Sequence, residues 1–189
     1  MSAPAEDFYS EERWQNWIDR LRDEELDPED EDSARLLLNL QDDVSIAVAK
    51  ILRAYGDELD AEGAMGELAT IRDIVLAEPG IEDEETAMLV DGVQTSLVCV
   101  FYSAERYIAD GVADESDIED YVLSAADAEA GDDFDQALDL VAAAGTRVID
   151  GEDLDIAITE EFDYGLVTEW VNGLDSLQSA LSAPEVIEE

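Results

Sequence analysis

Apolar side chains recur every three or four residues along most of the chain, which is the period of an α-helix packed on one side. The pattern predicts an all-α protein, a single-domain bundle of about six or seven helices. A first helix is expected over about residues 10–25, where Trp14 and Trp17 share one face. A second is expected over about residues 33–55, and a third over about residues 60–79.

The longest apolar stretch, from about Asp83 to Asp110, is predicted to be the central helix, since few charges interrupt its middle. Cys99 is the single cysteine of the chain, so it cannot form an intramolecular disulfide. Because it lies within this apolar stretch, it is predicted to be a buried thiol. No uninterrupted apolar run approaches the ~20 residues of a membrane helix, so no membrane span is expected.

Capping signals mark the following helices. Ser116 and Glu119 have the spacing of a capping box, which predicts the start of a fifth helix. A sixth helix is expected after Gly131, with Phe134 on its inner face.

The last third of the chain is less regular in its pattern. Residues 147–158 fit either short strands or a loop, and the loop is favoured. The final helix is expected over Thr159–Leu181, where large apolar residues recur at helical spacing. The helical domain is then expected over residues 8–181, between a disordered N-terminus at 1–7 and a disordered tail at 182–189.

The charge of the chain indicates the salt concentration at which the protein works. The chain has 52 acids and 9 basic residues, a net charge of -43, and Lys50 is its only lysine. Spread over a folded surface of roughly 9,000 Å², the acids lie about 13 Å apart, whereas the Debye length is ~8 Å at physiological salt and ~3 Å at 1 M. We therefore expect a halophilic protein that works in a high-salt cytoplasm.

The same charge also fits an acidic nucleic-acid mimic that binds a basic partner. The acids are distributed along the whole chain instead of forming a tail or stripe, which favours adaptation to salt. Direct nucleic-acid binding is not expected, because the sequence has no basic patch to displace phosphate counterions.

Several catalytic classes lack their essential residues. The chain has no histidine, which removes histidine-dependent nucleophilic sites and the usual zinc ligand sets. No glycine-rich loop ends in Gly-Lys-Ser/Thr, so P-loop chemistry is excluded. Closely spaced acids are too frequent by chance to indicate a metal site, and we expect no cofactor and no metal.

Two segments carry neutral polar groups where an acidic surface is expected, at residues 36–50 and 91–105. Their polar residues form either a recognition patch or hydrogen bonds inside the bundle, of which the second is favoured. Together with the tryptophans, they give seven candidate interaction residues: Trp14, Trp17, Asn39, Gln41, Gln94, Thr95 and Ser96.

Neither Lys50 nor Arg72 has an acid three or four positions away, and both are expected to pair between helices. Asp43 and Asp91 are the candidate acidic partners.

Three stretches resemble an acidic haloarchaeal family known only as a domain of unknown function. They are FYSEERWQNWIDRL, LLLNLQDDV and DGVQTSLVCVFYSAE, and the similarity extends over about residues 8–181. The resemblance implies an archaeal, halophilic source and assigns no activity.

The leading hypothesis is a non-enzymatic cytoplasmic protein that binds another protein through the tryptophan face or the neutral segments. A homodimer is left open. The alternatives are an enzyme that uses carboxylates within the bundle and the acidic mimic. A pocket lined by convergent acids would favour the enzyme, and a bare apolar patch would favour the protein binder.

Overall fold

The computed structural model describes residues 9–24, 26–27 and 29–182. Throughout these residues the chain is helical with connecting turns, which confirms the all-α prediction. The expected disorder at 1–7 and 183–189 lies outside the described residues, whereas Ser182, assigned to the tail from sequence, belongs to the last helix.

Seven α-helices and one 3₁₀ helix follow one another in the described chain. The α-helices are α1 Glu11–Asp23, α2 Glu31–Ala54, α3 Ala61–Val75, α4 Glu84–Asp110, α5 Ile118–Ala130, α6 Phe134–Ile149 and α7 Leu166–Ser182. The 3₁₀ helix is Ile156–Glu161. The first four α-helices therefore lie close to their predicted positions.

Aspartate side chains begin most of these helices. An Asp carboxylate accepts a hydrogen bond from a backbone N–H of the first turn in α2, α3, α4, α5 and α6. The residue that caps α5 is Asp117, not the predicted Ser116. An acid at this position both satisfies an unpaired N–H and meets the positive end of the helix dipole, so many acids of this chain also stabilise helix ends.

α4 is the central helix, as predicted, because it packs against α2, α3, α6 and α7. It is also long and apolar enough to cross a membrane by length and composition, which corrects the expectation that no stretch reaches that limit. Half of its most apolar window is buried against the neighbouring helices, which is equally typical of a bundle core.

Small residues let the other helices approach α4 closely. Gly173 of α7 lies against the backbone of Ser96, and a methyl carbon at Gly173 would lie 2.8 Å from the Ser96 carbonyl carbon. Gly145 of α6 lies against the Ser103 side chain in the same manner. These contacts set the distances between the central helix and two of its neighbours.

The first residues of the stretch 147–158, expected as loop or strand, are helical instead, because α6 continues to Ile149 and ends near Gly151. Residues 147–158 form no strand in the described chain. Instead, the Gln178 side chain of α7 both donates to and accepts from the backbone of Leu154, at 3.1 and 2.6 Å. The backbone groups that a strand would pair are here bonded to a helix.

The final α-helix begins at Leu166 and not at Thr159, which lies in the 3₁₀ helix. Glu129 of α5 accepts hydrogen bonds from the backbone N–H groups of Leu166 and Val167, at 2.7 and 3.1 Å. A residue distant in sequence therefore caps α7, which the local pattern does not show. Phe134, predicted on the inner face of α6, is exposed at its first turn.

Cys99 provides a test of the central placement of α4. Its side chain is fully buried, and burial raises the pKa of the thiol to about 12, although Ser103 opposes this through a hydrogen bond. Because the thiolate is the reactive form, we expect a thiol reagent to label native protein at least ~100-fold more slowly than denatured protein. Equal labelling rates at molar salt would contradict the buried position.

Candidate interaction surface

The two N-terminal tryptophans attach α1 to the bundle. Trp14 is 2% exposed, and the partly buried Trp17 donates its indole N–H to a carboxylate oxygen of Asp43 on α2 at 3.0 Å. Arg13 also binds Asp43, and the Arg20 guanidinium lies 5.5 Å from the centre of the Trp17 ring. The structure therefore gives this face to helix docking and leaves no free tryptophan patch.

Two of the neutral polar candidates are buried at contacts with α7. Gln41 donates to the Ser176 hydroxyl at 2.6 Å and to the carbonyl oxygen of Asn172 at 3.3 Å. Ser96 donates to the carbonyl oxygen of Gly92 and to the Glu169 carboxylate at 3.2 Å. Burial raises the pKa of Glu169, and the bond from Ser96 opposes that shift. These groups join helices.

Of the other three candidates, one bonds to a neighbouring helix and two make no side-chain hydrogen bond in the described chain. Gln94 donates to the carbonyl oxygens of Val75 and Ala77, which satisfies the C-terminal end of α3. Asn39 is exposed on α2, and Thr95 is half-buried on α4. In the described chain neither side chain makes a hydrogen bond to another residue, so they remain available to a partner.

The candidate ion pairs are arranged differently from the expectation. Arg72 joins α3 to α4 by binding Glu105, and Asp43 is occupied by Arg13. Lys50 and Asp91 are exposed, and neither has an ion pair within the described residues. The one lysine of the chain is thus directed to solvent from α2.

One face of α4 carries exposed and half-buried residues along its length. We call it the α4 stripe and define it by the residues Met88, Thr95, Val98, Tyr102 and Ala109, which recur at helical spacing. Met88 is 72% exposed and Tyr102 is 48% exposed, while Thr95 and Val98 are half-buried. This face therefore exposes two large side chains, Met88 and Tyr102, in the same helical row as Asp91 and Glu105.

A cleft of about 380 Å³ lies at the C-terminal end of the α4 stripe. Met65 of α3, Tyr102 of α4 and Ala142 of α6 are among the residues that line it. Glu105 also lines it, and burial raises the pKa of this carboxyl while Arg72 opposes the shift. The cleft has the mixed apolar and polar lining of a side-chain pocket.

Acids border the α4 stripe along its length. Asp91 lies near one end, and Asp110 and Asp139 line the cleft at the other. All three are exposed, and none has an ion pair in the described part of the chain. The stripe is therefore bordered mainly by acids, with Arg106 as the one cation among the described residues that line the cleft.

No concentrated catalytic chemistry accompanies these surfaces. Within residues 9–24, 26–27 and 29–182, no group of three or more His, Cys, Asp or Glu residues is placed to hold a metal ion. Other surface clefts, of about 290 Å³ each, are lined by residues of mixed type. No observation here points to a particular reaction.

Comparison with known proteins places the chain in an archaeal group. A family model described as "Uncharacterized protein conserved in archaea (DUF2150)" matches residues 7–189. This confirms the resemblance to an uncharacterised archaeal family, whereas the halophilic source stays a prediction. No curated protein and no solved structure matches the chain.

Proposed function

We propose that this chain, which belongs to DUF2150, an uncharacterised family conserved in archaea, is a non-enzymatic protein. In this proposal it binds a helix of another protein on the α4 stripe. We place this activity in the cytoplasm of a cell with high internal salt. The observation that supports it is the exposed apolar row centred on Tyr102.

An exposed apolar surface is unfavourable in a high-salt cytoplasm, which the net charge of the chain predicts. Concentrated salts that are excluded from protein surfaces strengthen apolar association, so exposed Met88 and Tyr102 side chains favour contact with another surface. Contiguous apolar patches on soluble proteins mark interaction sites more often than isolated apolar residues do. A partner that covers the α4 stripe accounts for its composition.

The shape of the stripe selects the kind of partner. From Met88 to Ala109 it extends about 32 Å at 1.5 Å per residue, and Met65 of α3 and Ala142 of α6 lie beside its C-terminal end. An amphipathic helix fits such a groove with apolar anchors at positions i, i+3 or i+4 and i+7. The cleft beside Tyr102 can receive one large anchor side chain.

The rim of the stripe selects the charge of that partner. Asp91, Asp110 and Asp139 have no ion pair in the described chain, so Lys or Arg residues flanking the apolar face of the incoming helix would complement them. At molar salt these charges contribute mainly to orientation, since screening weakens exposed pairs. The apolar anchors supply most of the affinity.

The test is a substitution on the stripe with a matched substitution elsewhere. Tyr102→Ser should weaken binding of a purified partner about 30-fold, equivalent to the ~2 kcal/mol lost with an aromatic anchor. Ile156→Ser is the control, because Ile156 is 45% exposed and lies on the 3₁₀ helix, which packs on α5 and α7.

Partners are first captured at molar KCl with wild-type protein and each variant, and the dissociation constant is then measured for each purified pair. A partner lost with Tyr102→Ser and retained with Ile156→Ser supports the proposal, provided that both variants keep full helicity. A partner whose affinity is unchanged by Tyr102→Ser would contradict it, as would turnover of a substrate that depends on one carboxylate.

A further inference from the structure

A second surface of unusual charge lies on α2, away from the α4 stripe. Residues 33–54 contain two acids and three basic residues, so this segment is slightly positive in a chain of net charge -43. What we call the α2 strip consists of the exposed Leu38, Asn39, Ile46 and Lys50 together with the half-buried Asp42. Ile46 is 43% exposed at the middle of it.

The α2 strip is bounded by two helices that are already docked. On one side α1 binds α2 through Asp43, and on the other α7 binds it through Gln41. The opposite face of α2, with Leu40 and Val44, is fully buried in the core, where α2 packs against α4. The strip is thus a separate surface from the stripe.

Two charges on the α2 strip lack complements within the described chain. Lys50 has no ion pair, and Asp42 lies close enough to Asp175 of α7 that their repulsion contributes to raising the pKa of Asp175, after the larger effect of burial. Lys50 and Asp42 are eight residues apart, or about 12 Å along the helix axis, which is too far for them to pair with each other.

We propose that a second copy of this chain docks on the α2 strip, with the two α2 helices antiparallel and Ile46 at the twofold axis. In a twofold interface, when residue i contacts residue j, j also contacts i. Ile46 lies four residues from Asp42 and four from Lys50. Antiparallel pairing about Ile46 therefore brings Lys50 of each copy to Asp42 of the other.

Charge favours a second copy as the occupant. Two molecules of net charge -43 repel each other over acid-coated surfaces, and the α2 strip offers an approach with little such repulsion. The strip is also self-complementary, because it contributes one apolar contact at the axis and two symmetry-related ion pairs. Each Lys50 would also relieve the repulsion between Asp42 and Asp175.

A charge swap tests the contact. We expect Lys50→Asp and Asp42→Lys each to weaken dimerisation about 10-fold, because each turns two attractive pairs into two repulsive ones. The double variant, which carries both changes, should return to within about threefold of wild type, because the pairs are restored with reversed sign. Sedimentation equilibrium, at the lowest KCl concentration that retains full helicity, measures the dissociation constants.

The contact of Ile46 at the proposed twofold axis is tested by substitutions at Ile46 and, as a control, at Ile156. Ile46→Glu places two carboxylates at the axis and should weaken the dimer at least about 100-fold, whereas Ile156→Glu, a similarly exposed isoleucine on the 3₁₀ helix, should leave it unchanged. With a mild oxidant, Ile46→Cys should form a disulfide-linked dimer and Ile156→Cys should not, while the native Cys99 stays buried and silent.

Three results would overturn the inference. The first is wild-type protein that stays monomeric at concentrations up to about 1 mM, a range that detects even weak dimers. The second is a double variant no better than the single ones. The third is an Ile46→Cys variant that forms no disulfide-linked dimer with the mild oxidant.

Discussion

Transfer of the protein from molar KCl into a buffer of low ionic strength is expected to unfold it completely. The surface of 10639 Å² is shared by 52 acids, so each has about 205 Å² and the mean spacing is about 14 Å. With six neighbours for each acid, there are about 150 near pairs, each worth ~0.3 kcal/mol in water before screening. Repulsion on this scale has to be compared with the whole stability of a domain.

Screening decides the outcome. The near pairs sum to roughly 30 kcal/mol at 0.01 M salt and to below ~1 kcal/mol at 1 M. In the expanded chain an acid has about two near neighbours in place of six, so unfolding relieves about 20 kcal/mol of the repulsion at low salt. A domain has only about 5–15 kcal/mol of stability, so the folded state cannot survive the change.

Circular dichroism before and after dialysis measures this effect. We expect the helical signal to disappear at low salt and to return when KCl is restored. Full helicity with a high melting temperature at low salt would show that the acids are tolerated without screening, and the halophilic interpretation would then be wrong.

Gly173→Ala is expected to be the most damaging single methyl addition in the bundle. The new carbon would lie 2.8 Å from the Ser96 carbonyl carbon and closer still to its oxygen, and backbone atoms cannot move aside as a flexible side chain can. We expect a loss of about 3 kcal/mol or more of unfolding free energy, because α7 has to move away from the central helix.

The control for this change is Gly66→Ala on α3. Gly66 also lies within a helix, and no atom lies within 4 Å of the added carbon. There the substitution should stabilise the protein by about 0.5–1 kcal/mol, because alanine has the higher helix propensity. Thermal or chemical unfolding at molar KCl compares the two, and shifts of the same sign would contradict the packing described for α7.

The regular helices could be predicted from local features. Periodic apolar residues located α1 to α4, and Asp60, Asp83 and Gly111 mark ends that local chemistry explains. The start of α7 could not be predicted in this way, because its cap, Glu129, comes from another helix. The course of the chain at Leu154 depends on Gln178, again through a distant contact.

The candidate surface was only partly visible in the sequence. A helix with an apolar middle, such as α4, is predicted to be central, but periodicity cannot say which side its neighbours leave open. The sequence therefore does not single out Tyr102 and Met88, although both lie in one helical row. Trp17 was a candidate for an exposed anchor, but its indole donates to Asp43 and packs on the core. The two arrangements have the same sequence pattern, so the sequence does not distinguish them.

The most direct measurement of the proposed function is photo-crosslinking at Tyr102 in cells of the native host at their own salt concentration. With a photoreactive residue at this position, we expect adducts with one protein, through a peptide that has an amphipathic helical pattern and basic flanks. The same residue at Ile156 should not form these adducts. Identical adducts from both positions, or none from Tyr102, would contradict a helix-binding role for the α4 stripe.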